Sequence, residues 1–414
     1  MLAMAAPAQV CDKATSLGWV ATRDGRVFTK WEFATEFALP EHSKTGLTQL
    51  AAAFEHEGIA LVAVVLPTRP MAVPGALPPG FYAHKKATQS YRSLLSDMAS
   101  MPGLTVVDGL TVAETHGDDF YFSLDHHWTP AGAQSAARSA AATVLLQDSW
   151  DEVKTEPYKT TAGEPVQAVG NMTVQVEKKC GPSKHPKIQY AAWTTEAESG
   201  GPGLLDDAPA PPVVALGSSM MRPEWHFAGF LKSELGADVL SVPIGGGHAL
   251  GAMLAWLRTT DLTEDKPKAV VWEIEAFDTR NVPDRNGAPD FASADVWGQL
   301  RAAVHGSCHE SAVTQVEVPV AADTSLLSAI DSDGEMRLLL TGSDAAFMDF
   351  EVITTYADGF TSTVPMHGYR KVPATGRFFM MFAPDHGTVA DVSLRVPPRA
   401  VRGRVTAQVC RMDP

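Results

Sequence analysis

The sequence contains no apolar run close to the roughly 20 residues that a membrane-spanning helix needs, which argues against an integral membrane protein. Cysteine is scarce: Cys11, Cys180, Cys308 and Cys410 are widely spaced, with no C-x-x-C pair and no histidine spacing of a zinc site. Of the histidines, only His126 and His127 are adjacent, and a metal there would require a third clustered ligand, so neither a metal nor an organic cofactor is expected. Positive charge is in deficit, with 33 Lys and Arg against 48 Asp and Glu and a formal net charge of −15, which argues against nucleic acid and nonspecific adhesion to acidic polymers. No internal repeat is visible. What remains, 45% hydrophobic and 20% charged residues over 414 positions, is the composition of an ordinary globular protein with room for two domains.

The opening segment "MLAMAAPAQVC" is rich in small residues but lacks a basic region and a full apolar core. It fits the remnant of a removed or truncated signal peptide, and equally a flexible terminus. The four cysteines allow three pairings. If the chain divides near residue 306, one pair falls in each part, which favours Cys11–Cys180 and Cys308–Cys410 and an oxidising compartment. Four separate buried thiols are the competing reading. The charge is also uneven, since residues 361 to 414 carry eight basic residues against three acidic ones, so this end is compatible with an anion.

Short Val- and Leu-rich runs recur at 58–66, 103–110, 212–219, 238–247 and 268–277, and helical stretches lie between them at 84–101, 131–147, 225–236 and 249–259. This alternation predicts an α/β domain with a mainly parallel sheet and helices on both faces, its functional groups on loops at the carboxyl ends of the strands. After about residue 306 the pattern becomes short alternating strands with turn residues between them, which predicts a β-sandwich. The expected division is 1–305 and 306–414. The Pro/Gly-rich stretch "SGGPGLLDDAPAPP" (199–212) reads as a surface loop inside the first domain, because the α/β alternation resumes after it.

Chemistry concentrates in "FYFSLDHHWTPAGAQSAARSAAA" (120–142). Thr129 is a predicted N-cap, Pro130 suits the first helical position, and the Ala-rich run propagates a helix. Asp125 and His127 therefore precede the helix on its entry loop. If that loop is extended, residues i and i+2 point the same way, so Asp125 is expected to hold one ring nitrogen of His127 while His126 faces elsewhere. That is how an acid orients a base in a nucleophile–His–Asp relay, although a surface or capping histidine fits the same pattern. A nucleophile is offered by "PVVALGSSMMRPEWHFAGFLKSELG" (212–236), where a strand turns through a Gly-Ser-Ser corner into a helix.

Together these segments resemble a known family, the SGNH-hydrolase-like alginate O-acetyltransferases of the AlgX and AlgJ type. In that family the D-x-H element precedes the serine, which lies in a G-T-S corner followed by a W-x-F-A-G-like helix. The matching segments are "DHHWTPAG" (125–132), "GSS" (217–219) and "WHFAGFL" (225–231), and "VLPTRP" (65–70) and "VVWEIEAF" (270–277) are further likenesses. The resemblance implies an SGNH-hydrolase-like three-layer domain and a carbohydrate-binding-module-like sandwich with one disulfide in each, which favours the AlgX branch. It also implies Ser219 as nucleophile, His127 as base and Asp125 as orienting acid. The chain departs from the family at Ser218, where relatives carry threonine, and at Phe277 in "EAFD", where relatives carry tyrosine. The loop "GGGHAL" (245–250) has no assigned counterpart.

The expected reaction is acetyl transfer through Ser219 from an acetyl donor to hydroxyls of an anionic exopolysaccharide, with mannuronate of alginate as the implied acceptor, within an envelope polysaccharide-synthesis complex. A secreted carbohydrate esterase and a noncatalytic polysaccharide-binding scaffold are the rival readings. Asn171 is a candidate oxyanion donor beside the Ser219 N–H, against the reading of a plain turn residue. His367, Tyr369, Arg370, Lys371 and Arg377 form a candidate uronate-binding cluster, against a solvated strand face. Arg69 and Trp128 are candidate sugar contacts in the first domain, with packing beneath the helix start the competing role for Trp128.

Overall fold

A computed structural model describes residues 11–22, 25–182, 186–198, 210–280, 288–308, 312–330, 334–345, 347–401 and 403–412. Positions 199–209 of the expected surface loop lie outside them. The first half alternates helix and strand: α1 (Glu41–His56), β1 (Ala60–Leu66), α2 (His84–Ala99), β2 (Leu104–Asp108), α3 (Gly109–His116) and α4 (Pro130–Val144). A two-stranded ribbon follows, β3 (Tyr158–Ala168) and β4 (Ile188–Ala197), with α5 (Asn171–Cys180) between its strands. The alternation then resumes with β5 (Val213–Gly217), α6 (Phe227–Leu235), β6 (Val239–Pro243), α7 (His248–Thr259), β7 (Ala269–Glu275) and α8 (Ala294–Val304).

Five of these strands form one wholly parallel sheet in the order β2-β1-β7-β5-β6. Side chains alternate across it as the strand period requires. On β1, Leu61, Ala63 and Val65 join the core beneath α1, α2, α7 and α8, while Val62, Val64 and Leu66 join the core beneath α4 and α6. Burial on both faces explains why these strands read as continuous apolar runs. The ribbon escaped the sequence reading because its burial alternates only weakly, its outer residues being exposed on both strands.

After residue 308 the strands are β8 (Ala312–Pro319), β9 (Asp323–Ile330), β10 (Met336–Gly342), β11 (Phe350–Tyr356), β12 (Thr361–Met366), β13 (Arg377–Met381), β14 (Val389–Arg395) and β15 (Arg404–Arg411). They make two four-stranded antiparallel sheets, β8-β15-β10-β13 and β9-β14-β11-β12, closed over a core of their own. One sheet turns its outer face to the α/β body. Leu338, Leu340, Phe378 and Met380 point into the sandwich, whereas Leu339 and Phe379 join the core shared with α8. Two buried arginines pin this contact. Arg337 donates to the carbonyls of Ala302, His305 and Gly306 at the end of α8, and Arg258 reaches the Gln299 side chain and the His367 carbonyl. The cysteines pair as Cys11–Cys180 and Cys308–Cys410. Among the described residues, no helix is long and apolar enough to cross a membrane.

Candidate active site

Residues 121 to 128 form a closed loop. Tyr121 and Trp128 pair as an isolated antiparallel bridge, Phe122 N–H donates to the His127 carbonyl (3.1 Å), and Thr129 N–H donates to the Phe120 carbonyl (2.9 Å). Behind it, the Thr129 hydroxyl accepts the Gly132 N–H (3.0 Å) and Pro130 takes the first position of α4, as the sequence predicts. Gly132 is required there, because a Cβ would stand 2.2 Å from the Phe120 carbonyl oxygen. Between its clamped ends the loop is bent, and this differs from the extended geometry expected. The Asp125 carboxylate accepts both the backbone N–H (3.0 Å) and the ring Nδ1 (2.5 Å) of His127 on the same oxygen. His126 consequently lies alongside His127 with ring centroids 4.0 Å apart, instead of facing away.

The serine arrives from the carboxyl end of β5. After Gly217 the chain enters a short turn whose cap is Ser218, the hydroxyl of which accepts the Met220 N–H (3.1 Å) and faces Glu275 (3.4 Å). Ser219 points the other way, and its Oγ lies 2.8 Å from His127 Nε2. Geometry thus separates the adjacent serines: Ser218 is buried and engaged in the turn, and Ser219 is partly accessible and aligned with the imidazole. Gly217 is required because Glu273 lies against it, a Cβ falling 2.5 Å from Oε2, and the same oxygen accepts the Ser218 N–H (2.7 Å). Trp225 closes the far side, its ring 5.1 Å from that of His127 and its Nε1–H donating to the Ser219 carbonyl (3.2 Å). The unassigned loop 245–250 starts next to the serine turn, where Ile244 N–H donates to the Gly217 carbonyl (3.0 Å), and its His248 meets Asp278 (2.7 Å).

The electrostatics hold Asp125 ionised and His126 neutral. Burial pushes the Asp125 carboxyl up, but the hydrogen bond and charge of His127, with the N–H groups of Asn171 and His127, outweigh it and hold the group at about 2. Burial, then the neighbouring His127, lower His126 to about 3, so its ring is neutral. Its Nδ1 accepts from the Asn171 side-chain amide, and its backbone N–H donates to Asn171 Oδ1 (3.1 Å). Beneath the turn, burial raises Glu273 to about 7 against the pull of the Ser218 N–H.

Of the other candidates, Arg69 requires correction. It is buried, pairs with Glu32 (2.5 Å) and donates to the carbonyls of Val27, Phe122 and Asp125, so its donors are spent inside the protein and it braces the loop instead of meeting sugar. Trp128 is also buried, stacked on Phe227 at 5.2 Å, and serves the packing role. Asn171 heads α5 instead of lying in a turn: its side chain is committed to His126, and its N–H holds Asp125 (2.7 Å). In the sandwich, His367 and Arg370 are exposed, Arg377 lies over Phe379, and Lys371 approaches Gly246 beside the serine loop. Tyr369 turns inward and packs against the α/β core. Arg395 and Arg404 of the basic end pair with Glu351 and Glu317, whereas no carboxylate among the described residues pairs with Arg370, Lys371 or Arg377. Sequence reasoning missed Glu32, Trp225 and Glu273. Glu32 left a local signal, the capping box "TKWE" (29–32), whereas Trp225 and Glu273 fall in the segments 225–231 and 270–277 without a role read for either.

Residues 20–276 match the family described as SGNH hydrolase-like domain, acetyltransferase AlgX. The alginate biosynthesis protein AlgX of Pseudomonas fluorescens is 32% identical over 257 residues, covering 59% of this chain and 53% of that protein. The probable alginate O-acetylase AlgJ of the same organism is 27% identical over 245 residues, covering 56% of this chain and 60% of that one. The matched part thus spans little more than half the length of these curated relatives. The solved structure of Pseudomonas aeruginosa AlgX superposes with a TM-score of 0.78 at 21% identity, over 95% of this chain and 94% of that one, which establishes the shared α/β-plus-sandwich fold.

Proposed function

The chain belongs to the family of SGNH hydrolase-like AlgX acetyltransferase domains, and from that premise we propose that it transfers acetyl groups to hydroxyls of an exopolysaccharide through Ser219, His127 and Asp125. The observation that carries this reading is the line of contacts from Ser219 Oγ to His127 Nε2 and from Nδ1 to Asp125. Asp125 fixes the tautomer with the proton on Nδ1, leaving Nε2 to accept the serine proton. Ser219 Oγ then attacks the acetyl carbonyl of the donor. The oxyanion meets the Ser219 N–H at the head of its short turn, and collapse expels the donor's leaving group, which takes the proton from His127. Asn171, the other candidate oxyanion donor, acts instead by holding His126 and Asp125. In the second half, a sugar hydroxyl gives its proton to Nε2 and attacks the acetyl-enzyme, forming the sugar ester and restoring Ser219.

The acceptor is an anionic polysaccharide, with the mannuronate residues of alginate as the first candidate from the matched relatives. Residues 1–305 carry the chemistry, and residues 306–414 hold polymer through His367, Arg370, Lys371 and Arg377, whose guanidinium and ammonium groups suit uronate carboxylates. Two disulfides and family membership support an oxidising, periplasmic site of action within an envelope polysaccharide-synthesis complex.

The test supplies a chromogenic acetyl ester and defined mannuronate oligomers to wild type and Ser219→Ala, and reads the sugar by mass spectrometry. Acetylated oligomer from wild type alone is the expected result. Acetate release without labelled sugar would identify an esterase, and equal background signals from both proteins would leave only a binding scaffold.

A further inference from the structure

Beside the candidate site, Trp31 is 36% exposed on a turn held from beneath. Its turn (Lys30–Phe33) is locked by Glu32, which is buried, accepts the Thr29 N–H (2.7 Å) and hydroxyl (2.9 Å), and pairs with Arg69. Because Arg69 also donates to the Phe122 and Asp125 carbonyls, one buried guanidinium ties the Trp31 turn to the loop bearing Asp125 and His127. The indole lies 6.2 Å from His126, whose ring lies 4.0 Å from His127. On its other side Trp31 meets Phe277 at 4.8 Å, and the Arg280 guanidinium covers Phe277 at 4.4 Å. Arg280 is half-buried and spends its Nε on the Phe277 carbonyl (3.0 Å), while among the described residues no carboxylate pairs with its remaining donors.

We infer that Trp31, Phe277 and Arg280 form a sugar subsite, a rigid aromatic shelf that stacks one hexuronate ring of the acceptor and takes its carboxylate on the Arg280 guanidinium. The inference rests on the polysaccharide-acceptor reading above and names the part of the site that would select a uronate. A ring stacks its apolar face on an indole held in place in advance, so little ordering is required on binding. A guanidinium matches a carboxylate by paired hydrogen bonds, which a neutral sugar cannot supply. The indole and the His127 ring are separated by no more than the two ring-to-ring steps laid end to end, so a sugar on the shelf lies within a residue or two of Ser219. Phe277 has no phenol to seek a partner and provides the apolar wedge between the indole and Arg280.

The test measures binding of mannuronate oligomers, and of neutral oligomers of equal length, by calorimetry to Ser219→Ala and to the same protein carrying Trp31→Ala, Trp31→Phe or Arg280→Gln. Hydrolysis of a small acetyl ester and thermal melting are followed for each single variant with Ser219 intact. Trp31→Ala is expected to weaken uronate binding about tenfold or more, the equivalent of roughly 1.4 kcal/mol, while ester hydrolysis and melting stay near wild type. Trp31→Phe recovers most of the affinity, and Arg280→Gln removes the preference for uronate over neutral oligomer. Uronate affinity unchanged by Trp31→Ala, or wild-type binding of the neutral oligomer alone, would overturn the subsite. If Trp31-dependent uronate binding is found but no acetyl reaches any oligomer, the subsite stands and the transferase reading fails.

Discussion

Replacing Asp125 by Asn tests the relay at its buried acid. The carboxylate accepts three protein N–H groups, those of His127 Nδ1, the His127 backbone and the Asn171 backbone. An amide of the same shape cannot serve all three, and its NH2 group presented to Nδ1 would favour the imidazole tautomer with the proton on Nε2. That tautomer cannot accept the Ser219 proton, so the expected loss in turnover is about 10⁴-fold, or roughly 5 kcal/mol of barrier. A second magnitude comes from stability. Asp125 sits at about 2 against an ordinary value of 3.8, and the group is buried, so its ionised form contributes up to about 2.5 kcal/mol to folding. Because its affinity for the proton is depressed in the folded state, that contribution is complete above the ordinary carboxylate range and is lost as pH falls through about 2. The assay is hydrolysis of a chromogenic acetyl ester at pH 7, with denaturant unfolding of both proteins between pH 2 and 7. Wild type should be the more stable near neutrality, and the two curves should converge in acid. Turnover of Asp125→Asn within about tenfold of wild type would refute the relay, and a stability difference that persists undiminished to the acid end would refute the account of the carboxylate.

Ser218→Ala should lose about 1 kcal/mol of stability with its cap to Met220 and keep most of the ester hydrolysis, whereas Ser219→Ala should fall to background; the paired rates decide between the two serines. Arg69→Met strands the buried Glu32 charge and should cost about 3–5 kcal/mol by denaturant unfolding, with a substantial part recovered when Glu32 is also replaced by Leu. Glu273 is raised to about 7, so its contribution to stability is complete below the ordinary carboxylate range and is lost as pH rises through 7. Unfolding at pH 5 and pH 8 should therefore show wild type losing stability over that interval relative to Glu273→Gln.

The elements legible in the sequence are those whose signals are local. Each apolar run became a strand of the parallel sheet because burial on both faces demands continuous hydrophobicity, and Thr129 and Pro130 start α4 because capping depends on only a few neighbouring residues. The β3–β4 ribbon went unread because its polar, exposed residues carry little periodicity. The D-x-H spacing indicated that Asp125 and His127 would meet, although the backbone that brings them together is bent, with His126 stacked beside them.

By itself, the sequence determined which residue types were available for the chemistry, where the α/β pattern gives way to alternating strands, and which end of the chain carries excess positive charge. The tertiary structure alone decided which of two adjacent serines faces the imidazole, because a turn at the end of β5 sends one hydroxyl into its own cap and the other outward. It also decided that Arg69 is a brace and that Trp31 lies beside His126. Those roles depend on contacts between residues separated by 37 to 56 positions at Arg69 and far apart at Trp31, where burial and hydrogen-bond satisfaction replace sequence spacing as the governing physics.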